Sequence, residues 1–132
     1  MNTDETPRMS FGKALRLRST KSIDALFSEG SMMQSSPLLL KYNLSARQDL
    51  SPVQFVFAVS KKKHPKASTR NTIKRRMKEA CRRNLHLLQL PLAESKMDIA
   101  IIYIPTKSLP YTAIEKAIIS IFLRLSDLLL KT

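Results

Sequence analysis

Between Lys61 and Arg83 stand eleven basic side chains, Lys61, Lys62, Lys63, Lys66, Arg70, Lys74, Arg75, Arg76, Lys78, Arg82 and Arg83, and a single acid, Glu79. The chemistry open to such a run is the binding of phosphate, because Arg offers forked donors to phosphate oxygens and Lys a compact point charge. The whole chain has 23 Lys plus Arg against 10 Asp plus Glu, so the other residues hold 12 basic and 9 acidic side chains, an ordinary balance. The formal excess of +13 is therefore local. A local excess of this size implies a polyanion or an anionic surface as partner. The competing reading is a solvated helix face, but such faces mix signs and this one hardly does.

No other set of residues supports chemistry of its own. Cys81 has no His or acid at a partner spacing and reads as a small core residue. His64 and His86 are isolated from it and from each other, which argues against metal ligation. The acids are scattered, so neither a two-metal nuclease site nor a general acid–base couple is expected. No catalytic residue and no protein-bound metal are assigned. Six Met, among them Met32 and Met33, read as gap-filling or linker residues.

The elements that must position the basic run can be read from periodicity. At 132 residues and 43% hydrophobic composition, one domain is expected over residues 11–132, with residues 1–10 as a flexible, polar tail. Two Gly and one Cys leave no room for a glycine-rich nucleotide cradle, a disulfide framework or a Cys-pair zinc site. The N-terminus lacks the apolar core of a secretory signal, and no apolar run is long enough to span a membrane; a cytoplasmic setting is expected. A short helix is predicted from Ser19 to Gly30, with Ile23, Leu26 and Phe27 on one side and Gly30 as its cap. Strands are predicted at Pro37–Leu44, Val53–Ser60 and Asp98–Ile104, with a turn at Ser45–Pro52 making the first two an early hairpin. A helix is expected from Ser68 or Thr69 to about Leu88, then a Pro91-containing linker. Thr112 and Glu115 have capping-box spacing, and Ile114, Ala117, Ile118, Ile121, Phe122, Leu125, Leu128 and Leu129 trace one apolar stripe. Strand, helix and strand from Val53 to Ile104 form a parallel βαβ unit. The fold class is α+β, a two-layer sandwich with helices on a small sheet of three to four strands.

At about 100° per residue, Ile73, Met77, Ala80, Cys81, Asn84 and Leu88 share one side of the basic helix, and Asn71, Lys74, Arg75, Lys78 and Arg82 the opposite arc. The first side packs on the sheet and the second is free to meet a ligand. Arg70 stands in the first turn, beside backbone N–H groups that favour phosphate, and cations there oppose the helix dipole unless an anion offsets them. Asn71 can reach a base edge or a 2′-hydroxyl, and Lys63, His64, Pro65 and Lys66 extend the footprint. A membrane partner is set aside, because the apolar face is needed for the fold. Duplex DNA is set aside as well, since no short helix and tight turn precede Ser68.

Val59-Ser60-Lys61-Lys62, a short loop, and Arg70-Asn71-Thr72-Ile73-Lys74-Arg75-Arg76 followed by Glu79-Ala80 resemble the signature region of the bacterial ribonuclease P protein component family. The resemblance extends more loosely from about Leu17 to Arg124. It implies that the basic helix joins two parallel strands by a left-handed crossover, against the usual hand. The family has an Arg-Asn-Arg box at this helix; Thr72 stands in its third place, so Arg70 and Asn71 are carried over and Thr72 is not. The resemblance further implies a catalytic RNA as partner, Mg²⁺ held through that RNA, and a joint task, removal of the 5′ leader from precursor tRNA. The RNA-contacting set is then Lys61, Lys62, Lys63, Lys66, Arg70, Asn71, Lys74, Arg75, Lys78 and Arg82. A leader-binding cleft between the sheet and the N-terminal helix would use Ile23, Phe27, Tyr42, Phe55 and Phe57. Ile23 replaces a family aromatic and fills space without stacking a base. The same rings could equally be core. Two other functions compete: a ribosomal-type structural RNA-binding protein, which needs no cleft, and a protein-only nuclease, against which the missing acidic cluster argues.

Overall fold

Apolar alternation from Val53 to Val59 and an aliphatic run after Lys96 organise the sheet. The computed structural model describes residues 15–45, 52–88 and 96–130; the expected tail at 1–10, Pro91 and most of the expected turn at 45–52 lie outside them. The element order is α1 (Thr20–Glu29), β1 (Ser31–Ser35), β2 (Leu38–Ser45), β3 (Val53–Val59), α2 (Ala67–Asn84), a 3₁₀ turn (Leu85–Leu87), β4 (Lys96–Tyr103) and α3 (Tyr111–Leu130). The architecture is α+β, an open four-stranded sheet with three helices.

The sheet order is β1-β2-β4-β3, with β3 parallel to β4 and the other pairs antiparallel. Strand β4 is central, and Met97, Asp98, Ile99, Ala100, Ile101 and Tyr103 are all buried. A strand covered on both faces reads as a nearly continuous aliphatic run, which is why β4 shows no alternation. Its position corrects the expected early hairpin: β4 lies between β2 and β3, so the strands flanking residues 46–51 are not neighbours. The hairpin that does form joins β1 to β2 across Ser36-Pro37, with Met33 opposite Leu40 and Met32 opposite Lys41. Met32 and Met33 are thus strand residues, not linker. A five-residue edge strand rich in Ser carries too little alternation to announce itself.

Strand parity divides the core in two. Val53, Phe55, Phe57 and Val59 of β3 and Met97, Ile99, Ile101 and Tyr103 of β4 pack with Ile73, Met77, Ala80 and Cys81 of α2 and with Ile114, Ala117, Ile118, Ile121, Phe122 and Leu125 of α3. On the other face, Ala100 meets Leu26 of α1 and Leu17, with Ile23, Phe27 and Val56 against them. The α3 stripe is as predicted except for Leu128, which is exposed. The α3 helix also starts earlier than the capping-box reading required, so Thr112 lies inside its first turn. Glu115 instead accepts from Asn84 Nδ2 at 2.9 Å and from the Tyr111 hydroxyl at 3.1 Å, tying the start of α3 to the end of α2.

Helix α1 is capped as its sequence indicates: Ser19 Oγ accepts from Ser22 N at 3.2 Å and Gly30 N–H donates to Leu26 O at 2.9 Å. Gly30 is not left-handed, with φ −66° and ψ 150°. Glycine is required by proximity, since a Cβ there would sit 2.5 Å from Leu26 O and 3.2 Å from Tyr42 O. Gly30→Ala is therefore expected to destabilise the protein by about 1–3 kcal/mol, the range for overpacking. A urea midpoint equal to wild type would show that α1 and β2 can part without cost.

Candidate nucleic-acid interface

Helix α2 is oriented by what it buries. Ile73, Met77, Ala80 and Cys81 are fully covered by the sheet and α3, and Asn84 is buried at the C-terminal end. Burial pushes the Cys81 thiol far above its ordinary pKa, so it is an inert core group. With that stripe inward, Asn71 and Arg75 are exposed and Lys74 and Lys78 half-buried on the outer arc. Lys61, Lys62 and Lys66 are exposed in the loop before the helix. Lys66 holds the cap position without a side-chain cap bond, and no acid stands in the first turn. The helix start thus has positive dipole and positive side chains together, an arrangement suited to phosphate.

A further cation joins this arc from a distant part of the chain. Residues 15–17 run beside β3: Leu17 N–H donates to Phe55 O at 2.8 Å, and Arg16 forms a parallel bridge with Phe55. Paired strand residues share a side, so Arg16 projects toward the α2 face. Its effect is visible at Lys78, whose pKa is lowered first by burial and then by the charges of Arg16 and Lys74. Sequence reading missed Arg16; the signal was the Leu15-Arg16-Leu17-Arg18 alternation, too short to count as a strand.

Three of the expected RNA-contacting residues are occupied within the protein. Lys63 Nζ donates to Ile104 O at 2.6 Å. Arg70 Nη1 donates to His64 O and Pro65 O, both at 2.9 Å, and so stitches the loop to the first turn of α2. Arg82 grips Glu79 through Nε at 2.9 Å and Nη2 at 2.5 Å; the bond holds the Arg82 pKa up and the Glu79 carboxyl down. His64 is directed inward, corrected from its expected place in the footprint. It is 4% exposed, with Nε2 2.7 Å from Pro105 O and its ring against Tyr103. Arg76 is also committed, to Ser108 Oγ and Leu109 O. Lys61, Lys62, Lys66, Lys74, Arg75 and Lys78 have no carboxylate partner among the described residues.

The expected cleft needs correction. Phe55, Phe57 and Tyr42 lie on the α2/α3 face, opposite α1, because residues of odd and even register alternate between the faces. Phe55 is 1% exposed, stacked on Phe57 at 6.0 Å and tilted on Phe122 at 6.1 Å. These rings are core. Ile23 and Phe27 do lie on the α1 side, half-buried against Leu26, Ala100 and Val56. The sheet residues on that face include Leu39, Lys41, Val56, Ala58 and Ile102, none of which sequence reading assigned to the cleft. Among the described residues no group of three or more His, Cys, Asp or Glu is placed to hold a metal ion, and no helix is long and apolar enough to cross a membrane.

Comparison with known proteins agrees on one family. The sequence model of the family described as Ribonuclease P matches residues 11–126. Two ribonuclease P protein components from strains of Porphyromonas gingivalis are 29% identical over 122 residues, covering 91% of this chain and 89% of the relative, and 30% identical over 125 residues, covering 92% and 91%. The ribonuclease P protein of Thermotoga maritima has the same fold, with a TM-score of 0.67 at 21% identity over 83% of this chain and 96% of that one.

The crowding of Arg16, Lys74 and Lys78 opposes folding. Lys78→Met keeps the apolar stem and removes the charge, and is expected to raise Tm at low salt, with the gain shrinking as salt is added. A Tm at or below wild type at low salt would show that the three cations do not repel one another appreciably.

Proposed function

Because the chain belongs to the ribonuclease P protein family, we propose that it binds the catalytic RNA of ribonuclease P through the arc of α2 and the loop before it, and the 5′ leader of precursor tRNA along the sheet face beside α1. The observation that carries this reading is the row Lys61, Lys62 and Lys66 of the loop and Lys74, Arg75 and Lys78 of α2, the latter turned outward by the buried stripe of that helix, all without a carboxylate partner among the described residues. Cations so placed neutralise backbone phosphates and release counterions, which supplies affinity with little sequence preference. Asn71, exposed at the start of the arc, adds a donor and an acceptor for a base edge or 2′-hydroxyl.

Hydrolysis of the leader is assigned to the catalytic RNA and the Mg²⁺ it holds, as the family resemblance implies; Cys81 of this chain, buried with its thiol pKa raised, is no nucleophile. This chain's share is to bind and orient: α2 fixes it on the RNA, and α1 with the sheet holds the single strand that is to be cut away. Formation of the mature tRNA 5′ end, by a ribonucleoprotein working in the cytoplasm, is the resulting activity. A ribosomal-type RNA-binding role would use the same arc but no leader surface.

Reconstitution separates these readings. The purified chain is expected to raise cleavage of precursor tRNA by the cognate catalytic RNA at low Mg²⁺, with tighter binding of precursor than of mature tRNA; absence of both effects would favour the structural role. With about five phosphates neutralised, log affinity for the RNA should fall against log salt with a slope of about −4. Replacing Lys74, Arg75 and Lys78 together by Ala should flatten that slope by about 2–3 while the folded CD spectrum persists. An unchanged slope would place the contact surface elsewhere on the protein.

A further inference from the structure

The sheet face beneath α1 carries no aromatic side chain among the described residues; the ring available there is Phe27, contributed by α1 itself. A single strand crossing this face therefore meets no stacking platform on the sheet. It meets Lys41 instead. The register places Lys41 between Met32 of β1 and Ala100 of β4, in the middle of that face. Its Nζ donates to Phe27 O, one of the last carbonyls of α1 that the helix cannot satisfy. The same ammonium lies 6.0 Å from the centroid of the Phe27 ring. A cation at a helix C-terminus is well placed electrostatically, so the ammonium is held in one position. Of its three donors, one is used by Phe27 O, and the described residues show no second acceptor for it. The carboxylate on this face, Asp98, is 3% exposed and has its own partners, so it does not compete for the cation.

We propose that Lys41 is a phosphate contact for the precursor's leader, so that this protein holds the strand by one ring and one fixed ammonium rather than by a row of stacked bases. The assignment rests on the reading of this face as the leader surface. A base on Phe27 and a phosphate on Lys41 would be contacts to one strand, and neither discriminates among bases. Leader binding is accordingly tolerant of leader sequence and sensitive to salt.

The test uses holoenzyme assembled from the full chain and the cognate catalytic RNA, with affinity for precursor and mature tRNA measured at several KCl concentrations and constant Mg²⁺. Lys41→Met is expected to lower the precursor-over-mature preference about 3- to 10-fold, the size of one net hydrogen bond at a half-exposed site, and to reduce the salt slope of that preference by about 0.7. Lys41→Arg, which keeps the charge, should restore most of it. A scan of single methylphosphonate linkages in the leader adds a readout that loosened packing cannot imitate: wild type should lose affinity at one linkage to which Lys41→Met is indifferent. Equal losses in Lys41→Met and Lys41→Arg, with no such linkage, would reduce Lys41 to a packing role and overturn the proposal. A wild-type holoenzyme that discriminates precursor from mature tRNA, beside a Lys41→Met holoenzyme that discriminates equally well, would overturn Lys41 alone. A wild-type holoenzyme with no preference would overturn the leader surface itself and the Lys41 contact with it.

Discussion

Covering β4 on both faces is the constraint from which the working surfaces follow. Met97, Ile99, Ile101 and Tyr103 point to one side of the sheet and Ala100 and Ile102 to the other. At about 25 cal/mol per Å² of apolar surface removed from water, covering either side stabilises the fold. The bulkier side takes α2 and α3. The other takes α1, whose ten residues cover only part of it. Ala100 is small enough for Leu26 and Leu17 to close upon it, while Leu39, Val56, Ala58 and Ile102 stay half-buried and form an open face. Burying the apolar stripe of α2 leaves that helix one way to turn, with its Lys and Arg outward.

Charge on that outer side is sorted by hydrogen bonding more than by sequence position. Eleven basic residues crowd into the segment from Lys61 to Arg83, yet several serve the fold. Lys63 satisfies the carbonyl where β4 ends, Arg70 closes the loop onto the start of α2, Arg76 holds the loop before α3, and Arg82 neutralises Glu79. Lys61, Lys62, Lys66, Lys74, Arg75 and Lys78, joined by Arg16, have no carboxylate partner among the described residues. The Lys78 pKa is lowered first by burial and then by the charges of Arg16 and Lys74. Lys titration shifted this way opposes folding at neutral pH and relaxes as pH rises toward the Lys range, because the unfolded chain then binds more protons than the folded one. An anionic partner removes the same penalty at neutral pH.

Much of this was legible in the sequence, and the rest was illegible for physical reasons. Periodicity alone placed the buried stripe of α2, because a 3.6-residue repeat has one solution on one helix. It placed the alternation of β3 equally well. Strand parity, however, says that Phe55 and Phe57 share a side without saying which helices cover that side. The family resemblance places these rings in the α1 cleft, and the register gives them to α2 and α3. Tyr42 follows the same parity through its register with Ile99. Counting charges likewise could not show that Arg70 and Arg82 are bound internally, since their partners are a carbonyl pair fixed by the loop and an acid one turn away. Arg16 was hidden because its place depends on pairing with a strand almost forty residues later, a contact no local pattern records.

The two surfaces are not independent, and the segment at residues 15–17 shows why. Leu17 packs beneath α1 with Leu26 and Ala100, while its neighbour Arg16 projects to the α2 side. The backbone pairing with Phe55, which includes the bond from Leu17 N–H to Phe55 O, fixes both. The carbonyl that accepts it belongs to β3, whose Phe55 fills the α2 core and whose Val56 lines the α1 face. Displacing Arg16 by an ångström would thus move Leu17 out of a packed site, and interiors tolerate little of that. The cationic strip is held to the same frame as the open face under α1. A catalytic RNA seated on one and a single strand lying on the other would be positioned relative to each other by β3 alone, without any moving part between them.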